Sequence, residues 1–185
     1  MQTCEVYKLT KMYNKKVILL LFLGVLFYSC NKQFTYIEKP SSKDYGKLFN
    51  DFNDQSYVSV EQLKGQFYNY VPCDFIYHKS VMFQENKVTI SLGETETYEI
   101  TKISFNKNIM EHLLTDGYNN GTLLKKKIDD KFLFRFQMNN IDYLFLTISI
   151  KDLNKYPLII HNCKNEKQPE REFEVLDLEE MWNNN

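Results

Sequence analysis

Residues 121–150, GTLLKKKIDDKFLFRFQMNNIDYLFLTISI, constrain the fold more than any other stretch of the chain. Phe132, Phe134, Phe136 and Met138 occupy alternate positions, and Ile141, Tyr143 and Phe145 resume the alternation after Asn139-Asn140. A period of two belongs to a strand with one buried face. Asp129-Asp130 and Asn139-Asn140 are short polar breaks of the kind that reverse antiparallel strands. The stretch therefore predicts a three-stranded antiparallel meander. Its last strand also carries Leu144, Leu146 and Ile148 and is apolar on both faces, which places it inside a sheet, because an exposed strand of that kind invites edge pairing.

Further strands follow the same logic. Residues 58–71 read as one, with Leu63, Gly65 and Phe67 inside it. Residues 74–83 and 87–92 read as two more around a Gln84-Glu85-Asn86 turn, and Val88, Ile90 and Leu92 alternate with Thr89 and Ser91. Gly93-Glu94 turns the chain into residues 97–105, and Pro157 opens a strand at 158–161. After Ser41-Ser42, the i, i+3, i+4, i+7 spacing of Tyr45, Leu48, Phe49 and Phe52 predicts a helix through Asn53 that packs on its own sheet. Residues 106–117 suit a short helix stopped by Gly117, with a strand as the alternative. Residues 173–178 suit a last strand, with a helix over 170–182 as the alternative. The expected fold is mainly β, an antiparallel barrel or two-sheet sandwich with one or two short helices. A single domain is expected over 42–182, with a disordered tail at 183–185.

The N-terminal region has a different grammar. Lys15 and Lys16 precede an apolar run of 12 residues, Val17 to Tyr28, followed by Ser29 and Cys30. A membrane-crossing helix needs roughly 20 residues, whereas a signal-peptide core fits this length, and the two lysines orient it for export of the chain downstream. The Ser29-Cys30 end resembles the signal peptide of bacterial lipoproteins of the Bacteroidetes type. That resemblance implies cleavage by signal peptidase II before Cys30, a diacylglycerol on its sulfur, and a tether over 30–41. It further implies attachment to the outer membrane through acyl chains. Asn31, Lys32 and Gln33 stand where surface-exposed relatives carry acids, which implies a periplasm-facing position. Met12 offers a second start, so residues 1–11 read as a start-site extension.

Loss of residues 1–29 removes Lys8, Lys11, Lys15, Lys16 and Glu5 and leaves 19 basic against 23 acidic side chains, with no basic stripe. A nucleic-acid partner is not expected. Cys73 and Cys163 then remain in an oxidising compartment. They are either two buried thiols or a disulfide closing a loop of 91 residues, worth up to roughly 4–5 kcal/mol. Cys73, His78, His161 and Cys163 lack zinc-finger spacing, so no metal is expected. No nucleophile elbow, phosphate loop or HExxH motif occurs, and neither a catalytic residue nor a cofactor is assigned. Glu94, Glu96 and Glu99 read as a solvated hairpin.

Leu63-x-Gly65-x-Phe67 resembles the first strand of lipocalin-like domains, where the glycine bends the strand and an aromatic ring plugs the base of a barrel. The resemblance implies a small-ligand-binding β module, with Phe132, Phe134 and Phe136 as ligand-facing candidates and a small apolar molecule as ligand. The alternatives are a protein-binding immunity or inhibitor lipoprotein and a hydrolase without a recognisable motif. Replacement of Cys30 by Ala is expected to abolish palmitate labelling and leave the chain uncleaved, with its apolar run in place; label retained by the variant would refute the anchor.

Overall fold

The computed structural model describes residues 34–37, 49, 52–73, 78–161 and 173–184. They belong to one compact unit, Gln33–Asn185. The signal segment, Cys30, most of the tether and Cys163 lie outside the described residues. The described residues form eleven strands: β1 (Phe34–Ile37), β2 (Ser56–Leu63), β3 (Gln66–Val71), β4 (Ser80–Gln84), β5 (Lys87–Ser91), β6 (Thr95–Asn106), β7 (Ile109–Thr115), β8 (Asn120–Ile128), β9 (Lys131–Met138), β10 (Ile141–Ser149) and β11 (Leu158–His161). A short 3-10 helix, Ile150–Lys155, follows β10, and α1 (Leu178–Asn183) ends the described chain. None of the described helices is long and apolar enough to cross a membrane.

The fold is mainly β and dominated by antiparallel pairs, as the alternation predicts. The meander is β8–β9–β10, in register from Ile128↔Lys131 and from Met138↔Ile141. β2 pairs with β10 on one side (Val58↔Ile148) and with β4 on the other (Tyr57↔Val81), which closes β2 and β4 to β10 into a ring of eight strands. The second half of β2 turns into β3, which runs parallel to β11, and β11 pairs antiparallel with β1. Five hairpins use two-residue turns whose first residue has positive φ: Lys64, Glu85, Lys107, Asp129 and Asn139. Left-handed backbone at that position matches the twist of the flanking strands.

Four expectations are corrected. Residues 58–71 are not one strand: the chain reverses at Lys64-Gly65, where both residues have positive φ (52° and 75°), so Gly65 makes a turn and not a strand bend. Residues 109–115 are strand β7, not a helix, because β6 and β8 satisfy its backbone from both sides and His112 and Leu114 then alternate inward. Cross-strand pairing overrides a local pattern that fits either period. Part of the expected tether, Phe34–Ile37, is β1. The tail is ordered as far as Asn184, since Asp177 caps α1 by accepting from Glu180 N (2.8 Å) and Asn184 forms the other cap. In the expected helix before Asn53, Phe49 and Phe52 are joined by a turn, with Phe52 N donating to Phe49 O (3.1 Å); the other residues of that stretch lie outside those described.

The ring wall at β9–β10–β2 is buried on both faces. Inside pack Phe134, Phe136, Phe145, Tyr98, Leu123 and Val88. Outside, Leu133, Leu146, Ile148 and Val58 meet Tyr156, Leu153 and the apolar side of α1. This agrees with the central place predicted for the strand bearing Leu144, Leu146 and Ile148. His78 is buried at the outer layer with its ring 5.4 Å from that of Phe49. Burial disfavours the imidazolium and lowers its pKa from 6.5 to about 4. The unfolded chain therefore binds this proton first, so the stability His78 contributes is complete above pH 6.5 and is lost as pH falls from 6.5 toward 4. Denaturant unfolding is expected to show a loss of up to about 3 kcal/mol over that window, flattened in His78→Leu; identical pH profiles for the two chains would refute the assignment.

Candidate functional site

Directly opposed residues of antiparallel strands share a face, so the registers map the interior of the ring. One row runs Phe105, Met110, Lys125, Phe134, Phe145 from β6 to β10. The next runs Ile103, His112, Leu123, Phe136, Tyr143. The middle of the ring is filled: Phe134 stacks on Phe145 with centroids 5.9 Å apart, and Phe136 lies 5.4 Å from Tyr98. The ends differ from the middle and from each other.

At one end, the β4–β5 hairpin stops at Glu85-Asn86, while β6 and β7 continue. Among the described residues, β6 beyond Ile100 pairs with β7 alone. Its inward side chains consequently meet solvent, with Ile103 52% and Phe105 71% exposed. This open, apolar floor leads directly to Lys125. The Lys125 ammonium lies 4.1 Å from the Tyr57 ring centre, 4.5 Å from Phe132, 5.9 Å from Phe134 and 6.0 Å from Phe83, and Nζ donates to the Tyr57 hydroxyl (2.6 Å). Aromatic faces attract a cation, by about 0.5–2 kcal/mol each according to exposure, but they carry no net charge to neutralise it. Among the described residues no carboxylate lies within ion-pair distance of this amine. Burial lowers its pKa to about 8, so at neutral pH it is mostly charged. His112 beside it is buried, contacts Leu123 O through Nδ1 (3.2 Å) and packs on Phe83 at 4.8 Å. Burial lowers its pKa, with the Lys125 charge adding in the same direction, and the ring is neutral above the usual histidine range.

At the opposite end, Ile90, Leu92, Tyr98, Phe136, Ile141 and Tyr143 line a cleft of about 290 Å³ with Glu94 and Glu96 at its edge. The Tyr98 hydroxyl donates to Glu96, and burial followed by this carboxylate raises the phenol pKa. Lys79 Nζ sits 5.3 Å above the Tyr143 ring. One end thus presents a cation enclosed by rings, the other an apolar cleft edged by two acids and Lys79.

Of the ligand-facing candidates, Phe132 and Phe134 flank Lys125, whereas Phe136 is packed toward the opposite end. Phe134 is fully buried and Phe132 only partly. Lys125 itself was missed, although a signal was present. Three successive lysines, 125 to 127, within a strand cannot all face water: a period of two sends Lys125 and Lys127 to one face and Lys126 to the other. Lys126 accordingly reaches the outer layer, where it is buried and its Nζ donates to the Trp182 carbonyl. Glu94, Glu96 and Glu99 are all exposed, as read from the sequence, with Glu94 and Glu96 at the edge of the cleft and Glu99 opposite Lys87 in the strand register. His161 contacts the Tyr70 hydroxyl (3.3 Å). Among the described residues no group of three His, Cys, Asp or Glu stands close enough to hold a metal.

Compared with known proteins, the chain matches no family model, and neither a curated protein nor a solved structure is significantly similar to it. The site is therefore read from its own geometry.

Cys73 is disulfide-bonded. The parallel register Ile160↔Val71 carries β3 and β11 out at the same end, two residues before Cys73 and three before Cys163. Non-reducing peptide mapping is expected to link the Cys73 and Cys163 peptides, and Cys163→Ser to cost roughly 2–4 kcal/mol of stability; free, alkylatable thiols at both positions in the native protein would overturn the pairing.

Proposed function

We propose that this is a lipid-anchored protein of the outer membrane, facing the periplasm, whose β ring holds a small, largely apolar ligand at the end occupied by Lys125. The observation that carries the reading is the exposed inner face of β6. Ile103 and Phe105 are large apolar side chains on the same face as the ring core, yet both are wet. Singly exposed apolar residues need no explanation, but a contiguous apolar surface leading into a core marks a binding surface. Met110, Phe132, Tyr57 and Phe83 continue that surface inward. The packed centre, held by Phe134 and Phe145, limits the ligand to this end and rules out a through-going cavity for it. The anchor rests on the Val17-to-Tyr28 run with Ser29-Cys30.

Binding of the neutral fluorophore N-phenyl-1-naphthylamine tests the reading without detergent, using the mature chain from Asn31, which lacks Cys30 and the signal segment, exported to the periplasm behind a signal peptide that needs no lipidation. Saturable fluorescence enhancement is expected. Phe105→Asp, at a solvent-exposed position where folding is least affected, is expected to weaken it about tenfold, the scale set by removing one aromatic ring from an apolar contact. Absence of saturable binding to the folded protein, or binding indifferent to Phe105→Asp, would refute the site.

A further inference from the structure

Resting on that reading, we propose that Lys125 makes the site selective for a small amphiphile with a single anionic head group of the carboxylate kind. The head group would meet the Lys125 ammonium, and the tail would lie across β7 and β6 on Met110, Ile103 and Phe105. Three observations point to this ligand class.

The first is that the cation has solvation but no counter-charge. Lys125 has three N–H donors; one is given to Tyr57 O, and rings flank the rest. An anion supplies what rings and a phenol cannot, and a charge-assisted hydrogen bond in such surroundings is stronger than one between neutral groups. Second, no acid among the described residues at this end pairs with Lys125: Glu85 and Asp129 are exposed at the hairpin turns, and Asp54 pairs with Lys151 (3.3 Å). Lys127, opposite Phe132 on the same face, is exposed. Of the other acids nearby, Asp130 accepts from Lys131 Nζ (2.7 Å) and Tyr156 OH (2.6 Å), and Glu111 accepts from Ser104 Oγ (2.8 Å) on the outer face. The opposite end of the ring carries Glu94 and Glu96 against the single cation Lys79 over Tyr143, so an amphiphile with an anionic head is less favoured there than beside Lys125. Third, the apolar floor begins where the charge stops. β6 and β8 are two strand spacings apart, about 10 Å, and the row between them is Phe105, Met110, Lys125. That distance suits a medium-length alkyl chain lying across the strands.

Decanoate, decanol and decylamine share one tail and differ in head charge, and each can displace N-phenyl-1-naphthylamine from the mature chain from Asn31. At pH 6.5 decanoate is expected to displace the fluorophore at a concentration at least about tenfold below that of decanol, with decylamine the weakest. The preference should decline as pH rises past about 8, where Lys125 loses its proton; His112 is already neutral there, and Tyr57, its pKa raised by burial, still keeps its proton. Lys125→Met should bring decanoate to the level of decanol. Lys125→Arg should retain the preference, as should Lys102→Met on the outer face of β6. Displacement by decanoate and decanol at equal concentrations in the unsubstituted site would overturn this inference while leaving ligand binding intact. Failure of the fluorophore to bind at all would overturn both. A preference for decanoate that survives in folded Lys125→Met would overturn it as well, by showing that another group reads the head.

Discussion

The pairing of β2 with two partners at once holds the architecture together. Val58 is fully buried between β10 and β4, and the contact on the β4 side involves only a few residues on each strand. The corner is reinforced locally: Asn53 Nδ2 donates to Phe83 O (2.9 Å), Ser56 Oγ bonds with Asn53 Oδ1 (3.1 Å), and Ser59 N donates to Lys79 O (2.9 Å). Without this seam, β4 and β10 would each offer an unpaired edge, and the aromatic interior would be one face of an open sheet. Closure converts that face into a core.

A closed ring of this composition has more apolar surface than its interior can hold. The excess is met by a second layer, in which the 3-10 helix, Tyr156 and the apolar residues of α1 cover the outside of β9, β10 and β2. Lys126 crosses this layer to reach a carbonyl, and Arg135 ties β10 to α1 by a two-pronged contact with Asp142 (2.6 and 2.8 Å) and one to Glu179 (3.2 Å). These polar links sit at the rim of an apolar contact and orient it, contributing less than the burial they border.

The Lys125 end of the ring is where closure stops short. Because β4 and β5 reverse at Glu85-Asn86 while β6 and β7 run on, the core opens into a floor that has no facing wall among the described residues. Lys125 stands where floor and core meet. A charged amine there costs desolvation, which its lowered pKa reports, and the surrounding rings offset part of that cost. A structural role alone would be served as well by a methionine of similar length, so the charge is the informative feature of the position.

The local period determined much of this from sequence alone. The meander from 120 to 149, its turns at Asp129-Asp130 and Asn139-Asn140, and the central place of its last strand follow from alternation and turn chemistry, which act within a few residues. The apolar run ending at Ser29-Cys30 is likewise a matter of local pattern and carries the expectation of an anchor. Tertiary structure decided what local pattern leaves degenerate. Residues 109–115 satisfy both periods, and neighbouring strands chose between them; Gly65 suits a bend or a turn, and the partner of β2 chose the turn. The same holds for the site. A row of lysines in a strand requires one of them to face inward, but only the register with β7 and β9 sets Lys125 between Met110 and Phe134, and only ring closure brings Tyr57 and Phe83 from strands distant in sequence to enclose it. Faces are written in the sequence because they depend on neighbours along the chain; enclosure is not, because it depends on which strands meet.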